Sequence, residues 1–260
     1  MTIINKNIPI IILAGGKGER FVNKDNLPKQ LAKVSNHPII IEIIYYYFKN
    51  GFNTFLLPLG YKQKFFTNFF KNKINIKKYK LNIVDHKKLN IVNSKINILF
   101  FNAGITSNKL SRIRKSIKYF KKENEIFGVC YGDIFANINF NNALSCFKNK
   151  KIEGLVTGFQ ENSPYGHLKV MNKKILNFNE KPLLKDPINI GFYFFRKKIF
   201  SKKNFGKNYD LEKNFLPKLS KFKKLACYMH KGYHFTVNSQ KDLVEAKQIY
   251  KKDKDFFKKL

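Results

Sequence analysis

An α/β fold, built on a doubly wound and mostly parallel sheet with a smaller mixed β extension over the ligand site, is predicted by three features of the 260-residue sequence. Short continuous apolar runs alternate with helix-like segments through the first half, the pattern of βαβ units whose strands are covered on both faces. The second half changes to closely spaced strand-like runs separated by short turns. Two early apolar runs end in glycine, at Leu13-Ala14-Gly15-Gly16 and at Tyr131-Gly132-Asp133, and ligands of open parallel sheets bind beyond such strand ends.

Taken in order, Ile8 to Leu13 reads as a buried strand. Pro38 to Lys49 reads as a helix, with proline in its first turn and Gly51 just past its end. Thr54 to Leu59 is a second strand and Lys62 to Lys71 a second helix. Leu81 to Val84 and Ile98 to Phe101 are further strands. Ser107 is placed to cap a helix running to Phe120. Ile126 to Tyr131 is another buried strand. Leu155 to Phe159, His167 to Val170, Ile175 to Phe178 and Ile190 to Phe195 form the second set of strands, and Ser239 to Lys251 a closing amphipathic helix.

With 43% hydrophobic and 15% aromatic residues, the chain can bury one large core with a small appendage. The expected organisation is one domain over 1–260, with a first lobe over 1–150 and a second lobe plus final helix over 151–260. No run of about 18 apolar residues is present, so no membrane span is expected. The first residues lack a charged leader and a small-residue cleavage site, so no signal peptide is expected. The three cysteines, Cys130, Cys146 and Cys227, have neither metal nor disulfide spacing, and a reducing cytoplasmic location follows. Lysine plus arginine number 51 against 17 acidic residues, a formal charge of +34. The lysines lie as doublets along the whole chain, without a basic arm or an arginine-rich helix. Together with the abundance of Lys, Asn, Ile and Phe, this reads as the codon bias of an A/T-rich genome and not as a nucleic-acid-binding surface. The excess charge still draws in anionic ligands.

The most informative motif is Leu13-Ala14-Gly15-Gly16-Lys17-Gly18-Glu19-Arg20, followed by Pro28-Lys29. A strand running into glycines lets main-chain N–H groups turn toward phosphate. The motif is neither the G-x-G-x-x-G dinucleotide fingerprint nor a P-loop. Arg20 and Lys29 are two cations suited to a triphosphate whose terminal groups depart. Asp133, beyond a buried strand, is a lone carboxylate of the kind Mg²⁺ takes alongside phosphate oxygens and water.

Leu-Ala-Gly-Gly-x-Gly-x-Arg followed by Pro-Lys resembles the signature of the sugar-1-phosphate nucleotidyltransferases, and the resemblance extends from Ile10 to about Ala246. Within that family, Asn102-Ala103-Gly104-Ile105-Thr106 leading to Leu110-Ser111-Arg112-Ile113, then Tyr131-Gly132-Asp133, is most similar to the cytidylyltransferases of glucose 1-phosphate. The resemblance implies a Rossmann-like fold, use of Mg²⁺, a nucleotide lobe followed by a sugar lobe, and the joining of a nucleoside triphosphate to a sugar 1-phosphate. Leu13, Ala14, Gly15, Gly16 and Gly18 would hold the nucleotide, with Asn102, Gly104, Thr106 and Arg112 at the base, although Arg112 could instead reach a phosphate. Arg20 and Lys29 would stabilise the leaving pyrophosphate. Asp133 is the implied metal ligand. Glu180 and Lys181, in Asn179-Glu180-Lys181-Pro182, would hold the sugar hydroxyls and the sugar phosphate. Gly166, Asn189 and Gly191 would line the sugar site.

Two departures stand out. The family carries a second metal-ligating Asp where this chain has Asn238, and a tryptophan where it has His234. An amide oxygen can coordinate Mg²⁺ without contributing charge, so weaker metal binding is expected. Other triphosphate and acceptor pairs on the same fold, a nucleotide-binding regulatory subunit without turnover, and a homo-oligomer all remain open at this point.

Overall fold

The computed structural model describes residues 8–16, 18, 21, 26–72, 82–84, 96–200, 206 and 209–252. In chain order the strands are β1 (Ile10–Leu13), β2 (Thr54–Leu59), β3 (Asn82–Val84), β4 (Asn97–Asn102), β5 (Ile126–Tyr131), β6 (Ile134–Ala136), β7 (Gly154–Phe159), β8 (His167–Met171), β9 (Lys174–Asn179), β10 (Ile188–Arg196), β11 (Leu225–His230) and β12 (His234–Thr236). The helices are α1 (Ile39–Lys49), α2 (Gln63–Lys71), α3 (Lys109–Ile117), α4 (Phe140–Ser145), α5 (Leu216–Lys221) and α6 (Gln240–Lys252). No helix among the described residues is long and apolar enough to cross a membrane.

Eight strands form one sheet in the order β11-β7-β10-β5-β1-β2-β4-β3. Its pairings are parallel except those of β10, which runs antiparallel to both β5 and β7. The α/β prediction therefore holds. The strands of the second half, however, do not build a separate layer. β7, β10 and β11 lengthen the main sheet, whereas β8 with β9 and β6 with β12 form two small antiparallel pairs.

The continuous apolar runs have the expected physical cause. Ile10 and Ile12 face the core that packs against α1, while Ile11 and Leu13 face the one that packs against α3. Residues on both faces are thus buried, as in a doubly wound sheet. Strand order reverses at β1, which has β2 on one side and β5 on the other. That switch point opens a crevice at the carboxyl ends of β1 and β5. Because β10 is antiparallel, its first residues, not its last, arrive at the same edge: Phe192 pairs with Cys130, one residue short of the end of β5.

One helix start differs from expectation. α3 is capped by Asn108, whose side chain accepts from the Ser111 N–H at 2.8 Å. Ser107 Oγ instead donates to the Ala103 carbonyl and accepts from Lys115 Nζ. Asparagine reaches the third N–H of the helix as well as serine does, and the tight turn at Gly104 (φ +93°) takes up Ser107.

Candidate active site

A cleft of about 860 Å³ opens at the switch point. Leu13, Gly15, Gly16 and Gly18 form one wall, Lys29, Asp133 and Asn238 a second, and the start of α3 with Tyr131 and Asp210 a third. A Cβ on Gly16 or Gly18 would meet nothing within 4 Å, and Gly18 has φ +62°. Bare main chain therefore faces the cleft there, as a phosphate-binding loop requires. Ala14 is buried behind it. Arg20 lies outside the described residues.

Lys29 is delivered by a helical turn over Lys29–Leu31 that follows Pro28. Its ammonium is paired with the Asp133 carboxylate and donates to Asn238 Oδ1 at 2.8 Å. Both partners are brought together by one small ribbon. Asp133 immediately precedes β6 and Asn238 follows β12; Thr236 pairs with Ile134, and the Val237 N–H donates to the Asp133 carbonyl at 2.8 Å. Asp242 accepts from the N–H groups of Asn238 and Ser239 at 2.8 and 3.0 Å, which fixes the entry into α6. Asp133 and Asn238, 105 positions apart, thus converge on a single cation. A carboxylate and an amide oxygen arranged in this way fit a hard divalent ion that takes its remaining ligands from phosphate and water. Among the described residues no group of three or more His, Cys, Asp or Glu side chains could hold a metal.

Arg112 corrects an expectation. It is 4% exposed, and its five N–H groups donate to the carbonyls of Ser107, Pro58, Leu59, Gly15 and Gly104 at 2.9 to 3.0 Å. None is left for a nucleotide, so this arginine builds the cleft wall by clasping the loops after β1 and β4 to the end of β2. Burial pushes its pKa down from the ordinary arginine value. A Cβ on Gly15 would fall within the guanidinium, and one on Gly60 would come within 2.6 Å of it. Gly15 is glycine to admit Arg112, whereas Gly16 and Gly18 leave the ligand side open.

The other base-side expectations are divided. Asn102 accepts from the Gly104 N–H at 2.8 Å and lines a neighbouring pocket of about 300 Å³ with Gly60 and Ile105. Thr106 is exposed. Ser107, Asn108 and Lys109 line the main cleft instead. They belong to the segment Asn102 to Arg112 expected to face the base, and they follow the tight turn at Gly104.

Of the residues expected at the sugar, Asn189 and Gly191 stand at the start of β10, beside the end of β5. Gly191 has φ +77°, and a Cβ there would approach Tyr131 to 2.6 Å. Gly166, Glu180 and Lys181 lie at the base of the β8–β9 hairpin, where a Cβ on Gly166 would come within 3.0 Å of Glu180 Oε2. Glu180 and Lys181 form an exposed pair at 3.9 Å. The arrangement therefore brings together the glycine loop, Lys29, Asp133 and Asn238, and places Glu180 and Lys181 on a separate projecting ribbon. His234 rests on Phe159, with ring centroids 4.4 Å apart, and burial followed by repulsion from His230 lowers its pKa.

A glycine-loop cleft with paired cation and carboxylate at the switch point defines a nucleotide-handling α/β protein. The sequence pattern of the Nucleotidyl transferase family matches residues 9–253, and the chain belongs to that family. It is 30% identical over 252 residues to the probable glucose-1-phosphate cytidylyltransferase of Bacillus subtilis (strain 168), covering 95% of this chain and 98% of that one. It is 22% identical over 245 residues to the D-glycero-alpha-D-manno-heptose 1-phosphate guanylyltransferase of Aneurinibacillus thermoaerophilus, covering 92% and 96%. The crystal structure of HddC from Yersinia pseudotuberculosis complexed with GMP-PN has the same fold, with a TM-score of 0.63 at 22% identity over 94% of this chain and 99% of that one.

Proposed function

We propose that this protein joins a nucleoside triphosphate, CTP in the first instance, to a sugar 1-phosphate, glucose 1-phosphate in the first instance, giving a nucleotide-sugar and pyrophosphate. The observation that carries the reading is the convergence of Lys29, Asp133 and Asn238 beside the open main chain of Gly16 and Gly18. The Bacillus subtilis relative supports the choice of substrates.

In the reaction, an oxygen of the sugar phosphate attacks the α-phosphorus in line. The bond from that phosphorus to the bridging oxygen of the β-phosphate breaks, and pyrophosphate departs. The attacking group is already an anion, so no general base is needed. The protein positions two polyanions and offsets their repulsion. The 1–150 lobe holds the triphosphate on Gly16 and Gly18, with Lys29 and Arg20 at the leaving pyrophosphate. The 151–260 lobe brings the acceptor: Lys181 orients its phosphate, while Glu180, Asn189 and the turns at Gly166 and Gly191 hold the sugar. Asp133 and Asn238 would hold Mg²⁺, which when bound supplies Lewis-acid stabilisation of charge on the transferred phosphoryl group. Arg112 acts through the loops it clasps.

Guanylyl transfer to a heptose 1-phosphate is the second reading, favoured by the relative from Aneurinibacillus thermoaerophilus. Pyrophosphate release with Mg²⁺, crossing the common nucleoside triphosphates with a panel of sugar 1-phosphates, tests both. Selective turnover of CTP with glucose 1-phosphate is expected, and Lys29→Ala should lower kcat/KM roughly 100- to 1000-fold. Turnover of another pair only would overturn the choice of substrates. Nucleotide binding without turnover of any pair would point to a regulatory subunit, consistent with Asn238 in place of Asp.

A further inference from the structure

A chain of hydrogen bonds connects Asn189 to residues without an assigned role, passing Tyr131 and Lys109 on the lining of the cleft. Glu212 lies in a π-helical turn (Leu211–Phe215) whose first N–H groups are held by Asp210, at 2.9 Å to Glu212 and 3.0 Å to Lys213. The Glu212 carboxylate accepts from the Tyr131 hydroxyl and from Lys109 Nζ at 2.5 Å. Lys109 also donates to Tyr131 Oη at 3.2 Å and lies 4.6 Å from that ring's centroid. Tyr131 Oη is 3.0 Å from Tyr193 Oη, and Asn189 Nδ2 donates to Tyr193 Oη at 2.7 Å. Asn189 Oδ1 accepts from the Gly191 N–H at 3.0 Å.

The direction of every bond follows from its terminus. A carboxylate only accepts, so Tyr131 spends its hydrogen on Glu212. Its oxygen then accepts from Tyr193, and the Tyr193 oxygen accepts from Asn189. The Gly191 N–H independently demands the same orientation of the Asn189 amide. Both tyrosines remain protonated: burial, then neighbouring Tyr193 and Glu212, push Tyr131 far above the ordinary tyrosine value, and burial pushes Tyr193 up to about 12. One Nδ2 hydrogen of the exposed Asn189 side chain is left pointing away from the chain.

We infer that Glu212 is a positioning residue for the acceptor. Through Tyr131 and Tyr193 it fixes the amide of Asn189 with an N–H presented to the sugar phosphate. Through Lys109 it ties that setting to the start of α3 on the nucleotide side. The inference rests on the reaction proposed above. It adds to that reading a specificity element: an acceptor offering a hydrogen-bond acceptor to Asn189 is favoured over one offering only donors.

Two measurements test it on the full chain. Tyr193→Phe removes only a buried hydroxyl and breaks the chain between Tyr131 and Asn189. Its KM for the sugar 1-phosphate should rise roughly tenfold, about the worth of one hydrogen bond, with kcat and the KM for the triphosphate within about twofold of wild type. A wild-type acceptor KM in this variant overturns the inference. The second measurement needs no turnover. In asparagine-labelled protein, the side-chain amide signals of Asn189, assigned from Asn189→Ala, should move in Glu212→Gln. They should not respond to the same substitution when Tyr193→Phe is already present. Unmoved Asn189 signals in Glu212→Gln overturn the inference, and their movement supports it even if no substrate pair turns over and the reaction itself has to be reassigned.

Discussion

The glycine-loop wall of the cleft and the β8–β9 hairpin are built in opposite ways. At the glycine loop, β1 is buried along its whole length, and one arginine, 4% exposed, ties two loops to the end of β2 through five carbonyls. In the hairpin, every residue of β8 and β9 is exposed, including Leu168, Val170, Ile175, Leu176 and Phe178. The Glu180–Lys181 pair at the base of that hairpin has side chains 63% and 62% exposed. The first is preorganised by burial. The second is a ribbon with little packing beneath it, so that its conformation depends on local hydrogen bonds. Changes at the first should therefore be felt in stability, and changes at the second, on the proposed reaction, in acceptor binding.

The largest effect is expected for Arg112→Ala. Five carbonyls lose their donor at about 1 kcal/mol each, partly regained from water, for a loss on the order of 4 kcal/mol in urea unfolding. Arg112→Lys should rescue little, since an ammonium has three donors and cannot span five acceptors. Near-wild-type stability of Arg112→Ala would erase the contrast between the two regions. Next, Lys181→Ala should raise the KM for the sugar 1-phosphate at least tenfold. It should leave the unfolding free energy within about 0.5 kcal/mol, as befits an exposed pair. A loss of stability instead would show that the hairpin base is structural. The smallest effect is expected for Leu168→Ser, within about 0.5 kcal/mol in the same unfolding assay. A larger cost would show that the ribbon is packed in solution.

Legibility followed the same division. The strands over Thr54–Leu59 and Ile126–Tyr131 lie where the apolar runs place them, because a doubly covered strand writes its burial into consecutive residues. That the glycine loop, Lys29 and Asp133 meet in one cleft was legible from residue type and from position at strand ends. Arg112 was not. Its motif marks it as important, but only the tertiary structure shows that its donors are consumed by main chain. Glu212 and Lys109 were invisible as a pair, being 103 positions apart on segments without a distinctive pattern. β6 and β12, three residues each, are too short to show a period. It is their pairing that brings Asn238 to Asp133.

The bridge from Lys29 to Asp133 and Asn238 sets the baseline against which any ligand binds. An arriving phosphate does not meet a bare ammonium in water. It takes part in an exchange, in which Lys29 gives up one charge-assisted bond as it gains another, and the measured affinity is the difference. Because position 238 offers an amide, the corner holds one positive and one negative charge and is neutral before exchange. A second carboxylate there would leave the corner with a net negative charge. On the proposed reaction, Asn238 would trade a weaker hold on a metal for a corner that does not repel the incoming triphosphate.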